Sequence, residues 1–508
     1  MGIGINKFDF TLSIDSLEKY PSIPFNPNFN YPEFDGTFKQ FDTSNNIYKN
    51  VRDLFINSGY DKVNVGTSRW NPFRGLIKDG QIAVIKPNFV YEETNEILGK
   101  ECLITHVSLI RPVIDYLYLL QIKDKIKFRI IVTDVPIQGA NFNKILEQSG
   151  LKALQEFYIN HFSFNFEILD LRHKIAIDEG NGFFKTINNS GDPLGYSKIH
   201  LKNSFLQEIA NDYKKFGAPG YGINETFSQI KETGNHYYHI PNTILQSDLF
   251  VNMPKIKTHK KAGITVAMKN LIGINGEKAW IPHFRRGSIK TGGDEFDDKQ
   301  VFLKTITTRA NVLLQGRSRL LWNLGKKINK YFFKIFFRKD LRPSLKLSGL
   351  EQKALFLVNG DWYGNDTLWR PILDLNYLLF YVNKKGEEVS SKVRNYICLS
   401  DGVIAGEGDG PVNPSQKKAG IIALSQNPIL NDICISRIMG FDWEKIPQLR
   451  NSTFLKEYFE FDRNFEKFSL LENINSTGYN VVTFEELPNL KFNPPPGWLN
   501  QIEIMVTR

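Results

Sequence analysis

One segment of the sequence, residues 251–278, concentrates side chains that could bind and transform an anion. Five lysines and His259 are interspersed with short runs of apolar residues, and a glycine-rich turn follows. Lys255, Lys257 and His259 alternate, as residues do along a strand end or a pocket rim. Lys257 and Lys269 are predicted to hold a phosphate or carboxylate, and His259 to act as a general base near neutral pH. The alternative is that His259 only hydrogen-bonds a loop backbone.

A second segment, DGVIAGEGDGP (401–411), brings three carboxylates and four glycines together. Asp401, Glu407 and Asp409 could bind Mg²⁺ or Mn²⁺, or could neutralise the lysines. An ordered structural loop and direct contact with a substrate remain open as alternatives. No phosphate-binding loop of the GxxxxGK[ST] type and no GxGxxG after a strand is present, so the sequence gives no nucleotide motif.

The composition narrows the possible partners. The net charge is +10 over 508 residues, which favours anionic partners. The three cysteines are far apart and follow no metal-binding spacing, so we expect neither a disulfide framework nor an iron–sulfur cluster. No run of eighteen apolar residues and no secretion signal is visible, and we expect a cytoplasmic protein.

A basic segment, residues 313–342, holds nine basic residues and one acidic residue. Its apolar positions recur every three, four and seven residues, which predicts an amphipathic helix or a helical hairpin. Such a helix could lie on an anionic membrane surface, or it could pack on the protein body with a solvated basic side. We expect no nucleic-acid partner, because no recognisable binding motif accompanies the charge.

Elsewhere, strand-like apolar runs alternate with helical stretches. This alternation predicts an α/β fold with a mostly parallel open sheet and helices on both faces, plus the basic amphipathic helical insert. Polar groups follow five candidate strands, and ligands of open α/β sheets bind at the carboxyl ends of the strands. The five candidate strands are residues 81–85, 128–133, 248–253, 396–400 and 420–424.

The predicted organisation has five parts. Residues 1–75 form an N-terminal wrapping arm, and residues 456–508 form a C-terminal edge strand and closing segment. Between them lie the first part of the α/β core (76–302), the basic insert (303–348) and the second part of the core (349–455).

Ordered motifs between residues 60 and 500 resemble the bacterial and archaeal proteins grouped as domain of unknown function 362. The motifs are IKPNFV (85–90), THVSLIRPVIDYL (105–117), VTDVPIQGANF (132–142), the lysine-rich segment 251–278, IPHFRRGS (281–288) with GGDE (292–295), and SDGVIAGEGDGPV (400–412) with NPILND (427–432) and MGFDWEKIP (439–447).

This resemblance implies little about activity. Some relatives are fused to ferredoxin-like modules, but this sequence lacks their cysteine runs. The genes of the subgroup of this family that the sequence resembles often belong to gene sets for cell-surface polysaccharides. A fainter likeness to nickel-dependent lactate racemase suggests proton abstraction next to a carboxylate.

The motifs and the strand ends together predict one crevice. The predicted catalytic residues are Lys257, His259, Lys269 and His106. The predicted substrate-binding residues are Lys86, Asn88, Asp134, Gln138, Asn270 and His283, and the predicted metal ligands are Asp401, Glu407 and Asp409.

The predicted function is an enzyme of isomerase, epimerase or metal-assisted type that acts on a small anionic substrate. The substrate would bear a carboxylate or a phosphate, with a sugar-linked compound as one option, in cell-surface polysaccharide metabolism, and a divalent metal could serve as cofactor. The alternative is a non-catalytic assembly factor for glycan biosynthesis. It would dock on the inner face of the membrane through residues 313–342.

Overall fold

The structure is a computed structural model that describes most of the chain. The described residues are 8–16, 19–94, 101–179, 184–218, 229–299, 301, 304–306, 308, 357–460, 462–475 and 477–504. The predicted basic insert therefore lies outside the described residues, apart from a few positions at its start.

Seventeen strands and ten α-helices lie wholly within the described residues. The strands are β1 (Phe10–Ile14), β2 (Ile82–Pro87), β3 (Arg129–Asp134), β4 (Glu167–Asp170), β5 (Lys174–Asp178), β6 (Phe184–Asn188), β7 (Tyr196–Ile199), β8 (Phe216–Gly217), β9 (Tyr238–Pro241), β10 (Leu249–Met253), β11 (Lys255–His259), β12 (Gly263–Thr265), β13 (Phe284–Arg285), β14 (Asn395–Glu407), β15 (Ser415–Ser425), β16 (Leu470–Ile474) and β17 (Asn480–Val482). The helices are α1 (Asn46–Asn57), α2 (Val107–Asp124), α3 (Phe142–Gln148), α4 (Leu151–Phe162), α5 (Asn242–Leu245), α6 (Ala267–Asn270), α7 (Trp369–Tyr381), α8 (Pro428–Met439), α9 (Pro447–Arg450) and α10 (Lys456–Phe459).

A single eleven-stranded sheet organises the molecule. Its order is β17-β16-β1-β15-β14-β10-β2-β3-β4, with β11 pairing alongside β14 and β12 alongside β11. Strands β14, β10, β2, β3 and β4 are parallel to their neighbours in this run, whereas β15 is antiparallel to both β14 and β1. The mostly parallel α/β fold predicted from the sequence is confirmed.

Both faces of the central strands are buried, because alternate residues of β2 and β10 enter different hydrophobic cores. Val84 and Phe250 pack in a core with α7 and α8, while Ile85 and Val251 pack in a second core with α1, α2 and α4. This division explains why the strands appear in the sequence as continuous apolar runs.

Side-chain caps fix where helices begin next to the strand ends. Asn427 accepts hydrogen bonds from the N–H groups of Ile429 and Leu430 at the start of α8, and Gly440 ends α8 with φ +86°. His106 caps α2, since its Nδ1 accepts from Ser108 N at 3.2 Å. These caps satisfy backbone groups that a helix end leaves without partners.

The two ends of the chain complete the far side of the sheet. Strand β1 lies between β15 and β16, so the segment predicted as a wrapping arm also contributes a buried strand. Phe25 and Phe34 of the same segment pack in the second core. Strand β17 forms an edge of the sheet and is largely exposed.

Candidate functional site

A cavity of about 330 Å³ opens beside the carboxyl ends of β2 and β3. Lys86 and Asn88 enter it from the end of β2, and Asp134 enters it from the end of β3. Strand β11 contributes Lys257 and His259, and helix α6 contributes Lys269 and Asn270. His283 also lines the cavity, so eight of the thirteen predicted site residues surround one space.

Sequence reasoning missed part of the lining. Lys260, Lys261 and Lys278 lie in the lysine-rich segment, but no role was predicted for them. Asp361 and Asn359 come from a loop about eighty residues after Lys278, where no apolar pattern indicates a site. Apolar side chains complete the wall: Val90, Val135, Ile137, Ile272 and Val412.

Cations outnumber anions in this cavity. Six lysines line it, against the two carboxylates Asp134 and Asp361. Lys86 Nζ lies 2.8 Å from Asp134 Oδ1, and Lys260 and Lys261 both form ion pairs with Asp361. The excess positive charge gives the cavity a strong preference for anionic ligands.

Burial and mutual repulsion lower the pKa values of the lysine ammonium groups. Burial lowers the pKa of Lys257 to about 7, with a further contribution from the charges of Lys255 and Lys269. Burial, together with the charges of Lys86 and Lys261, lowers the pKa of Lys269 to about 8. Both lysines can therefore exchange a proton near neutral pH.

The hydrogen bonds of His259 determine which ring nitrogen carries its proton. The backbone N–H groups of Lys261 and Ala262 donate to His259 Nδ1 at 3.1 and 3.2 Å. Burial and neighbouring lysines hold the pKa of His259 well below its usual value, so the ring is neutral. A neutral ring that accepts at Nδ1 has its proton on Nε2. This geometry favours a hydrogen-bond donor over the predicted general base.

His283 has the opposite arrangement. Its Nδ1 lies 2.8 Å from the carbonyl oxygen of Ile281, which can only accept a hydrogen bond, so Nδ1 carries the proton. Burial and the charge of Lys269 lower the pKa of His283 to about 3, and Nε2 of the neutral ring is then an acceptor. The cavity wall thus contains two neutral histidines in different tautomers: His259 carries its proton on Nε2, and His283 carries its proton on Nδ1.

A buried hydrogen-bond chain fixes the floor of the cavity. Lys86 Nζ donates to Asn270 Oδ1 at 3.2 Å, and Asn270 Nδ2 donates to Asn252 Oδ1 at 2.8 Å. The glycine at position 273 is required here, because a Cβ atom would overlap Lys86 and Asp134 Oδ1. Two buried oxygens of the lining, Asn88 Oδ1 and Thr265 Oγ1, lack a hydrogen-bond partner within the described chain.

Two of the residues predicted for catalysis or substrate binding lie outside the cavity lining. His106 stacks on Tyr20 with ring centroids 3.7 Å apart, and its backbone N–H donates to Asp401 Oδ2 at 2.8 Å. Gln138 is buried, and its Nε2 donates to Glu277 Oε1 at 2.9 Å. Both side chains have structural partners that the sequence pattern does not reveal.

The predicted metal site at Asp401, Glu407 and Asp409 is not formed. Asp401 and Glu407 both belong to β14, six positions apart, which corresponds to about 20 Å along a strand. Asp401 pairs with Lys255 at 2.9 Å, whereas Glu407 accepts from Asn493 and pairs with Lys417. No group of three or more His, Cys, Asp or Glu side chains suited to a metal ion occurs in the described part of the chain. A divalent metal as cofactor stays a prediction without a ligand set.

The fold and the site define an α/β protein with a lysine-lined cavity at a sheet edge. The family model described as "Domain of unknown function (DUF362)" matches residues 173–437, and the chain belongs to this family. The match includes β11, α6 and Asp361, but it begins after Lys86 and Asp134. A search of curated proteins finds no match. Among the described residues, no helix has the length and apolar character needed to cross a membrane.

Proposed function

We propose that this protein is an enzyme that binds a small anionic substrate in the lysine-lined cavity and moves a proton to or from it. The observation that supports the proposal most directly is the convergence of six lysines on a cavity with two carboxylates. Such an excess of buried positive charge is costly unless an anion offsets it.

Lys257 is the proposed acid and base. Its side chain is fully buried, and its Nζ donates one hydrogen bond to the carbonyl oxygen of Leu103 at 2.6 Å. With a pKa of about 7, about half of the Lys257 amines are neutral at physiological pH and can accept a proton. Lys269, with a pKa of about 8, is more often protonated and is suited to hold the anion.

The two histidines would orient the rest of the substrate. His259 Nε2–H can donate to a carbonyl or carboxylate oxygen, and His283 Nε2 can accept from a hydroxyl group. A substrate with an anionic group beside a hydroxyl-bearing carbon would use both histidines. Proton transfer at that carbon is the isomerase or epimerase chemistry that we propose.

A solvent-exchange experiment tests this proposal. The purified protein is incubated in D₂O with small carboxylates, hydroxy acids and sugar phosphates, and deuterium incorporation is followed by mass spectrometry. At least one compound should exchange a C–H hydrogen with the wild-type protein and not with Lys257→Met. Lys62→Met, which removes an exposed lysine, is the matched control. The proposal fails if no compound exchanges or if Lys257→Met exchanges it at the wild-type rate.

The proposal also includes a role in cell-surface polysaccharide metabolism and contact with a membrane surface. A role in cell-surface polysaccharide metabolism is supported by sequence resemblance alone. Peripheral contact with a membrane would depend on residues 313–342, which lie outside the described residues, and no observation on the described residues favours the assembly-factor alternative.

A further inference from the structure

The six lysines of the cavity fall into two groups by their partners. Lys86, Lys260 and Lys261 have a carboxylate within ion-pair distance, supplied by Asp134 or Asp361. Within the described part of the chain, Lys257, Lys269 and Lys278 have none. This second group, the unpaired lysines, holds the positive charge that the protein itself does not balance.

The unpaired lysines retain hydrogen-bond donors. Lys257 donates to Leu103 O and Lys278 donates to Ile272 O, each at 2.6 Å. The described residues provide no side-chain or backbone acceptor for Lys269 Nζ. Each ammonium group has three N–H bonds, so donors remain on all three side chains for a ligand.

The unpaired lysines also lie close enough to influence one another. Burial is the main cause of the lowered pKa values of Lys257 and Lys278, and the charge of Lys269 lowers both further. A compact group with several negative oxygens would relieve this repulsion more completely than a single carboxylate would.

We propose that the substrate is a phosphate monoester and that Lys269 and Lys278 hold its phosphoryl group, which leaves Lys257 for proton transfer. This inference rests on the proposed function, because it concerns the same cavity. A phosphate monoester has close to two negative charges at pH 7 and three terminal oxygens, so each lysine can donate to an oxygen. A monocarboxylate supplies one charge and leaves part of the lysine charge unbalanced.

Proton uptake is an expected consequence of this arrangement. In the free protein, Lys257 and Lys269 have pKa values of about 7 and about 8, so both are partly neutral at pH 8. A bound dianion favours the ammonium form of each lysine and raises both pKa values. Binding should therefore take up about one proton per site from the solvent at this pH.

Titration calorimetry at pH 8 tests the inference, with inorganic phosphate, malonate and acetate as probes. Phosphate should bind at least tenfold more tightly than acetate and more tightly than malonate. Its binding heat should depend on the ionisation enthalpy of the buffer in the direction of proton uptake. Lys269→Met and Lys278→Met should each weaken phosphate binding about tenfold or more, while Lys62→Met should leave it unchanged.

The outcomes separate this inference from the proposed function. If acetate or malonate binds as tightly as phosphate, the phosphoryl assignment is wrong, although an anion site exists. The assignment also fails if phosphate binds without proton uptake, or if Lys269→Met and Lys278→Met both bind it normally. If none of the three anions binds the wild-type protein, the inference and the proposed function both fail. Circular dichroism of each variant confirms that a loss of binding is not a loss of folding.

Discussion

Lys86 and Asp134 form a buried ion pair across two neighbouring parallel strands, with Nζ 2.8 Å from Oδ1. Asp134 also accepts hydrogen bonds from the backbone N–H groups of Phe89 and Val135, at 2.7 and 2.8 Å. The carboxylate therefore joins the loops after β2 and β3 and neutralises one lysine of the cavity floor. The pair therefore stabilises the sheet edge and reduces the positive charge of the cavity.

Asp134→Asn should destabilise the protein strongly. The substitution leaves the Lys86 ammonium buried without its counter-charge, and breaking a buried pair in this way costs about 3 kcal/mol. Urea unfolding measures the free energy of unfolding. Glu147→Gln, which breaks an exposed pair with Lys152, is the control and should cost less than about 0.5 kcal/mol.

A double variant distinguishes lost pairing from lost hydrogen bonds at Asp134. Lys86→Met combined with Asp134→Asn removes the buried charge as well as its partner, so it should recover at least half of the lost stability. Equal costs for Asp134→Asn and Glu147→Gln would contradict the structural role assigned to the pair.

Anion affinity should fall as the pH rises, because the protonated lysines are the binding form. Sulfate is a suitable probe, since it stays a dianion across the range. Between pH 6.5 and pH 9 the lysines with pKa values of about 7 and about 8 lose their protons, and affinity for sulfate should fall at least tenfold. Calorimetry at four pH values measures this dependence.

The variant Lys257→Met shows whether Lys257 causes the fall in sulfate affinity at the lower end of this pH range. It should bind sulfate more weakly at pH 6.5 and should show its remaining decline only near pH 8, where Lys269 titrates. A wild-type affinity that is constant with pH would show that neither lysine contacts the anion.

Much of the fold and part of the site could be predicted from local sequence patterns. Strands β2 and β3 are apolar runs that end in polar residues, β10 is followed by the lysine-rich segment, and parallel strands bring such ends to one edge. Lys86, Asp134 and Lys257 could be grouped on this basis, because the rule depends only on strand direction.

The same rule failed at Asp401, since β14 continues past this residue to Glu407. A buried aspartate within a strand needs a distant partner, here Lys255, and no local pattern shows which residue that is. Ser425 follows the candidate strand 420–424, but β15 is antiparallel to β14, so the carboxyl end of β15 lies at the opposite edge. Asp361 enters the cavity through tertiary packing of a loop, without an adjacent strand signal.

Asp432 should make stability depend on pH through its contact with α6. It accepts hydrogen bonds from the N–H groups of Ala267 and Met268, at 2.8 and 2.9 Å, and so anchors the helix that positions Lys269. Burial raises the pKa of this carboxyl group to about 7. The folded protein therefore holds a proton between about pH 4 and pH 7 that the unfolded chain has released.

The sign of the effect follows from that difference in bound protons. The contribution of Asp432 to stability is fully present below about pH 4 and decreases as the pH rises to about 7. Between pH 4.5 and pH 7, the wild-type protein should lose about 3 kcal/mol relative to Asp432→Asn, which cannot titrate. Urea unfolding of both proteins at several pH values provides the comparison, and parallel curves would contradict the assignment.

Tyr20→Phe should show how strongly the N-terminal segment is held on the sheet. The Tyr20 hydroxyl donates to Asp401 Oδ1 at 2.8 Å, and it accepts from Lys255 Nζ at 2.7 Å and from Ile404 N at 3.2 Å. Removing it leaves three buried partners with one hydrogen bond fewer, which should cost about 2 kcal/mol in the free energy of unfolding. Tyr363→Phe, at a half-exposed position, should cost less than about 0.5 kcal/mol. Because the Tyr20 network lies outside the cavity lining, Tyr20→Phe should bind sulfate with wild-type affinity, and a large loss of binding without a loss of stability would show that this network is part of the site.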